Sequence, residues 1–314
     1  HDRRADGILL ASRHDFAWLT LGGQNHILLA SETGVAPILI TRDDAVVLAP
    51  INEYDRIADE ELAGLPLRIE KTPWWPTDQP ASALRAADVA DELESLRTAL
   101  LPVEHDRLDW LGRVVTETCD AALRNVEPGR TTEDDIVADT MAAFARQGVR
   151  LPVVLIAADD RIDRYRHPLT SGRTVERRVM LIVCAERWGL IVAHTQFAEL
   201  APMTADQQTA ADATAHVLAT MREATVPGHT FGDVLVAAQR AYAEVDMPNQ
   251  WQLHHQGGSI GYRARERVAT PTDTTPIRPG MAFAWNPSVV GYKREETLYL
   301  DANAGQHIVT TTPE

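Results

Sequence analysis

Two stretches of this chain run through the same order of elements, and that order limits the folds open to it. From residue 104, two long amphipathic helical patterns (104–126 and 131–148) are separated by Pro128-Gly129, and strand patterns follow at LPVVLIAA (151–158) and RVMLIVCAERWGLIVAHTQF (178–197). Helical patterns at 204–224 and 230–245 are then punctuated by Pro227-Gly228, and a strand-rich stretch runs from His254 to Thr310, with turn signals at Pro279-Gly280 and Asn303-Ala304-Gly305. Helix, helix, strands, stated twice, predicts a duplicated α/β domain in which each helix pair covers its own strands. The repeat lives in the pattern alone, since the two halves share no residue-level identity. Thr131-Thr132-Glu133-Asp134 places hydroxyls and carboxylates where a helix N-terminus needs acceptors and negative charge.

The first hundred residues have a different texture. Short apolar runs GILLAS (7–12), HILLAS (26–31), APILIT (36–41) and AVVLAP (45–50) predict strands, the last two joined as a hairpin through Arg42-Asp43-Asp44. Helical patterns follow at 53–64 and 82–100, and Leu101-Pro102 breaks the second. The expected organisation is therefore a small mixed domain over 1–101 and the α/β domain over 102–314, as 314 residues exceed what one core usually serves. Hydrophobic residues make up 45% of the chain, yet no apolar run is long enough to cross a bilayer, which argues against a membrane partner. With 45 acidic against 30 basic residues the net charge is −15, which repels phosphate backbones and argues against nucleic acid; a small cationic or zwitterionic ligand fits better. The polar HDRRADG start and the absence of a disulfide framework predict a cytoplasmic location, with Cys119 and Cys184 as buried thiols.

Two segments hold candidate chemistry. WQLHHQGGSIGYRARE (251–266) carries the adjacent His254 and His255, which alternate to opposite sides if the segment is extended. DDRIDRYRHP (159–168) brings Arg161, Arg164 and Arg166 up to His167; a solvated loop is the expectation for Arg161, while Arg166 is placed to clamp a substrate carboxylate.

Four landmarks in order carry a resemblance: Pro128-Gly129 with Thr131-Thr132-Glu133; Arg166-His167-Pro168; Arg278-Pro279-Gly280-Met281 with Trp285-Asn286-Pro287; and Lys293-Arg294-Glu295-Glu296-Thr297. Together they resemble the pita-bread family that includes creatinase, prolidase and aminopeptidase P. The resemblance implies a small mixed N-terminal domain followed by a duplicated pita-bread α/β domain, with the active site between its halves. Metallopeptidases of this family hold two metal ions with two Asp, one His and two Glu, hard or borderline ligands for divalent cations. The matching positions here are Val183 or Cys184, Ala193, Gly258 and Asn286, and Glu295 alone survives. One carboxylate does not offset the dehydration of two divalent ions, so the expectation is no metal and no cofactor. His194 and Cys184 fall short of the three or four ligands that zinc takes.

Creatinase resembles this chain in lacking the metal while remaining a hydrolase of a C–N bond. The resemblance implies His167 as the acid/base, its ordinary pKa near 6.5 suiting proton exchange between water and a leaving nitrogen, with Glu295 as its carboxylate partner holding cationic charge. It places His255, Asn286, Arg166, His194, Lys293 and Thr195 in substrate binding. Thr195 and Asn286 stand where creatinase has acidic residues, so creatine itself is a poor substrate here. A metal-independent hydrolase of a small amino-acid-like or peptide-like molecule is the favoured reading, against an atypical Xaa-Pro metallopeptidase and a non-catalytic peptide-binding module. The family also implies a homodimer, with Trp74-Trp75 either leaning toward the partner's cleft or packing on its own domain.

Overall fold

A computed structural model of the chain describes residues 7–75 and 83–311. It divides into two compact units: one holds the residues up to Arg97 together with Trp188–Leu190, the other Thr98–Arg187 and Ile191 onward.

In the first unit, β1 (Gly7–Ser12) leads into α1 (Arg13–Leu19), whose first turn is capped by Ser12 Oγ accepting from Asp15 N at 3.0 Å. β2 (Thr33–Ile40) and β3 (Ala45–Pro50) form the expected hairpin, closed by Thr41 N donating to Asp44 O. β4 (Arg68–Thr72) and β5 (Ala83–Arg85) pair parallel to β3 and β1 respectively, giving the sheet order β4-β3-β2-β1-β5. Phe16, Ile38, Val47 and Ile57 fill its core. Asp15 is buried against the Arg97 guanidinium at 2.7 Å, a pair whose desolvated charges depend on each other.

Two expectations for this unit fail. Residues 26–31 form a loop, with Ile27, Leu28 and Leu29 exposed; β1, the strand preceding them, already has β2 and β5 on its two sides and offers them no pairing. The helix expected over 82–100 shrinks to α3 (Ala90–Arg97): residue 82 lies outside the described residues, 83–85 are drawn into pairing with β1, and Ala86–Val89 is a 3₁₀ turn. The helical pattern at 53–64 is realised as one α turn, α2 (Tyr54–Arg56), passing into a π-helical turn at Ile57–Glu61.

The second unit carries the duplication. Its first half is α4 (Pro102–Arg124), α5 (Glu133–Arg146), β6 (Arg150–Ala158), the short α6 (Asp160–Arg164), β7 (Arg178–Arg187) and β8 (Leu190–Glu199). Its second half is α7 (Ala205–Ala224), α8 (Phe231–Glu244), a 3₁₀ turn at Gln250–Leu253, then β9 (Gly257–Ile260), β10 (Arg267–Val268), β11 (Ala282–Trp285), β12 (Ser288–Val289), β13 (Tyr292–Lys293), β14 (Glu296–Leu300) and β15 (Gln306–Ile308). Thr132, Thr204 and Thr230 each cap a helix reciprocally with a side chain three residues on, Asp135, Gln207 and Asp233. β7 and β8 are joined by Trp188-Gly189, both at positive φ, the two-residue turn that matches strand twist.

Each half buries its helices on its own strands. α7 and α8 close over β11 and β14 through Phe231, Tyr242, Phe283, Trp285 and Leu298. The three-stranded sheet β6-β7-β8 meets the five-stranded sheet β10-β9-β11-β14-β15 along β8. There Thr297 Oγ1 both donates to Ala193 O and accepts from Ala193 N, Ile191 N donates to Gly261 O, and Thr195 bridges Glu295. The seam between the halves thus runs through Glu295. Cys119 in α4 and Cys184 in β7 are free and buried, and burial pushes their thiols up to about 12 and about 11. Among the described residues no helix is long and apolar enough to cross a membrane.

Candidate functional site

Glu295 sits at the seam, 3% exposed, with both carboxylate oxygens engaged. Lys293 Nζ and Thr195 Oγ1 donate to Oε2 at 2.9 and 2.8 Å, and Arg265 Nη2 donates to Oε1 at 2.9 Å. Burial alone raises a carboxyl pKa; here it is outweighed by Lys293 and Arg265, which hold Glu295 well below the usual carboxylate range. The expectation that this carboxylate faces a cationic substrate group is therefore replaced. Its cations come from this chain, and the cluster of one carboxylate with two cations carries a surplus of positive charge. Thr195 and Lys293 belong to that cluster by their contacts.

Arg265 was not singled out by sequence, although it lies within the histidine segment. It sits in the loop between β9 and β10, and nothing local marks it: only the turn of that loop carries it back to a residue 30 positions away.

The histidines assemble differently from the alternation expected of them. His254 terminates the 3₁₀ turn and β9 starts only at Gly257, so the strand rule does not apply at 254–255. Both rings lie on one side, 4.2 Å apart, and it is His254 that meets His167, Nε2 to Nε2 at 2.9 Å. His254 Nδ1 contacts the His255 carbonyl, which only accepts, so the proton sits on Nδ1 and Nε2 is bare. His167 then donates from Nε2 and keeps its lone pair on Nδ1. Gln256, 1% exposed, fixes this arrangement by donating to the His254 carbonyl at 2.7 Å while accepting from Tyr242 Oη. His167 itself is exposed, on a loop tied to β6 by Ile156 N donating to Pro168 O.

Burial and then the Lys293 charge lower the His167 pKa, against a smaller opposing pull from Glu295. Burial, with Lys293 next, takes His254 down to about 4; burial, then His254 and Arg265, takes His255 down to about 3. All three rings are neutral near pH 7, and their shared sensitivity to Lys293 and Glu295 puts them in one electrostatic neighbourhood. Arg166 joins it, lining a small pocket with Lys293 and Ser288; its Nε is buried without a hydrogen-bond partner among the described residues, and burial lowers its pKa.

Other expected residues go elsewhere. His194 is fully buried beside Gln196, Nε2 to Oε1 at 3.3 Å, on the side of β8 opposite Thr195. Arg161 is no solvated loop residue: it pairs with Glu133, which is fully buried and also accepts from Ala158 N, Ser171 N and Ser171 Oγ. Asn286 is 2% exposed, its Oδ1 without a partner among the described residues.

The positions matched to metal ligands do not fit a pair of divalent ions. Ala193 is apolar with its backbone tied to Thr297, and Asn286 is neutral. Gly258 has φ +157°, and a Cβ there would lie 1.9 Å from the Arg267 carbonyl oxygen, so the local backbone excludes any side chain. Glu295 is held by an ammonium and a guanidinium, which any metal would have to displace. Among the described residues no group of three or more His, Cys, Asp or Glu is arranged to hold a metal ion.

The chain matches the family model described as metallopeptidase family M24 over residues 108–308. Its fold is similar to a prolidase from Pyrococcus horikoshii OT3, with TM-score 0.82 and 18% identity over 99% of this chain and 95% of that one. It is also similar to dipeptidase PepE from Mycobacterium ulcerans (TM-score 0.79, 17% identity, 98% and 92% covered). A third similar structure is the N-terminal domain of FACT complex subunit SPT16 from chickpea, Cicer arietinum (TM-score 0.74, 13% identity, 99% and 91% covered). No curated protein sequence matches the chain.

Proposed function

Since the chain belongs to metallopeptidase family M24 and yet holds the one surviving carboxylate with its own cations, we propose that it is a metal-independent hydrolase cleaving a C–N bond of a small amino-acid-like or peptide-like substrate. The observation that carries this reading is the Lys293–Glu295–Arg265 cluster beside the His167–His254 pair. In it, His167 is the acid/base. Its free Nδ1 takes a proton from water, the hydroxide adds to the carbonyl or amidine carbon, and the C–N bond breaks as the same proton passes to the leaving nitrogen. A lowered pKa makes the imidazolium a readier donor in that last step. His254 holds the ring's orientation through the Nε2 contact. Lys293 and Arg265, both largely buried, offer positive charge where negative charge builds up on the substrate. Arg166 is suited to a substrate carboxylate, and His255 and Asn286 to orientation.

We assign Glu295 the role of fixing both cations, a change from direct partnership with His167. This creatinase-like reading stands against an atypical metallopeptidase because the donor set favours cations of the chain over metal. The homodimer expected by resemblance is part of the same proposal, supported by Ile27, Leu28, Leu29, Trp74 and Trp75, all at least half exposed on the first unit.

The test is turnover of N-acyl amino acids, dipeptides, amidino and ureido compounds with chelator present throughout. His167→Ala is expected to lose roughly 10²–10⁴-fold, the usual worth of a positioned proton-transfer group. Turnover that appears only on adding metal ends the reading in favour of the metallopeptidase; full activity of His167→Ala in chelator removes the role given to this histidine.

A further inference from the structure

A second cavity, of about 670 Å³, lies between the C-terminal end of α4, the first half of α7, the end of β8 and the segment Tyr292–Arg294. None of His167, His254, Arg265, Lys293 or Glu295 lines it, although Tyr292 lines both it and the small pocket of Arg166 and Lys293, and its volume falls within the range of small-molecule sites. Its charges can be paired off. Asp120 is taken by Arg124 on the next turn of α4, and Glu199 by Arg178 at 3.0 Å. One cation and one anion remain outside any ion pair among the described residues, Arg294 and Asp212.

Each of the two has capacity to spare. Arg294 lies over the Tyr292 ring at 5.8 Å, with its Nε buried and without a hydrogen-bond partner among the described residues. Asp212 accepts from Gln208 Nε2 at 2.9 Å and is otherwise exposed. Gln196, 4% exposed, turns its Oε1 to His194, and its NH₂ makes no hydrogen bond among the described residues although the residue lines the cavity. The Gln196 NH₂ and the half-buried Arg294 guanidinium are thus donors open to an acceptor in the cavity.

We propose that this cavity binds a small zwitterion, a free amino acid or dipeptide, at a site separate from the cleft. The carboxylate is received by the Arg294 guanidinium and the Gln196 amide, and the ammonium by Asp212, with Tyr292 as an apolar wall. A simple anion would leave Asp212 opposed to it and a simple cation would leave Arg294 unmet, so the pairing of charges selects a molecule that carries both.

Isothermal titration of the whole chain at low salt tests this with glycine, alanine, glutamate and alanyl-alanine as probes, against N-acetylalanine and alanine amide. Saturable one-to-one binding by the unblocked compounds is expected, free amino acid and dipeptide being distinguished by which binds tighter, with both blocked forms about tenfold weaker or worse. Arg294→Gln is expected to cost about tenfold or more, and Asp212→Asn, at an exposed position that leaves folding undisturbed, several-fold. His167→Ala in the cleft is expected to leave the affinity unchanged, so a failure of the hydrolase reading and a failure of this one stay distinct. Absence of saturable binding, binding equal in blocked and free probes, binding indifferent to both Arg294→Gln and Asp212→Asn, or binding lost in His167→Ala would each overturn the site.

Discussion

Replacing Glu295 by Gln separates the ion-cluster reading from a metal-ligand reading through the sign of its effect on stability. In the wild type one carboxylate, 3% exposed, accepts from Lys293, Arg265 and Thr195 at 2.8–2.9 Å. Glutamine keeps the shape and one acceptor oxygen but removes the charge. Lys293, 7% exposed, and the largely buried Arg265 are then left as like charges without their counter-ion, and the guanidinium cannot discharge by losing a proton. Removing one partner of a buried pair costs about 3–5 kcal/mol, most of it the uncompensated charge left behind. The expected loss in Glu295→Gln is in that range, read as a fall in the urea midpoint with unchanged slope at pH 7 in chelator. Lys293→Met alone should cost less, because Arg265 still balances the carboxylate. The double variant should recover part of the Glu295→Gln loss, giving a coupling of about 1–3 kcal/mol between the two positions. A carboxylate kept free for metal behaves oppositely, since removing it in chelator relieves charge. Unchanged or raised stability of Glu295→Gln therefore refutes the argument.

Stability should also fall in acid through the histidines. His254 and His255 have folded values of about 4 and about 3, below the ordinary 6.5, so the unfolded chain binds more protons between these limits. Their contribution is complete above pH 6.5 and drains away as pH falls toward 4; after discounting for partial exposure, His254→Asn should flatten the slope there by about 1 kcal/mol per pH unit, and an identical slope in the variant contradicts this. Gly258→Ala should cost about 2–4 kcal/mol, since the added Cβ meets the Arg267 carbonyl at 1.9 Å; a midpoint within measurement error of wild type means the backbone there is not closed. Sedimentation should report a dimer at micromolar concentration and a shift toward monomer in Leu28→Glu, which charges an exposed apolar loop; a wild-type monomer removes the dimer proposal.

The elements that could be read from sequence are those whose causes lie within a few residues. Thr132, Thr204 and Thr230 announce helices because a cap needs only a side chain three positions on, and Pro128-Gly129 and Pro227-Gly228 stop them for equally local reasons. The apolar runs 151–158 and 178–197 became β6, β7 and β8 because buried strands need little beyond a continuous apolar stretch. HILLAS has the same local character and is a loop, since a strand also needs a partner, and β1, the nearest strand in the chain before it, is already flanked by β2 and β5. The site divides along the same line. His167 and Glu295 stood out by their neighbours in the chain, while Arg265, His254 and Gln256 take their roles from contacts with residues 30, 87 and 14 positions away. Sequence placed His194 with the cleft residues, but a strand's alternation turned it to the other side once Thr195 had met Glu295. Local rules set which residues form helices and strands, but closing a loop is paid for by contacts formed far along the chain, so only the folded structure decided which charges meet.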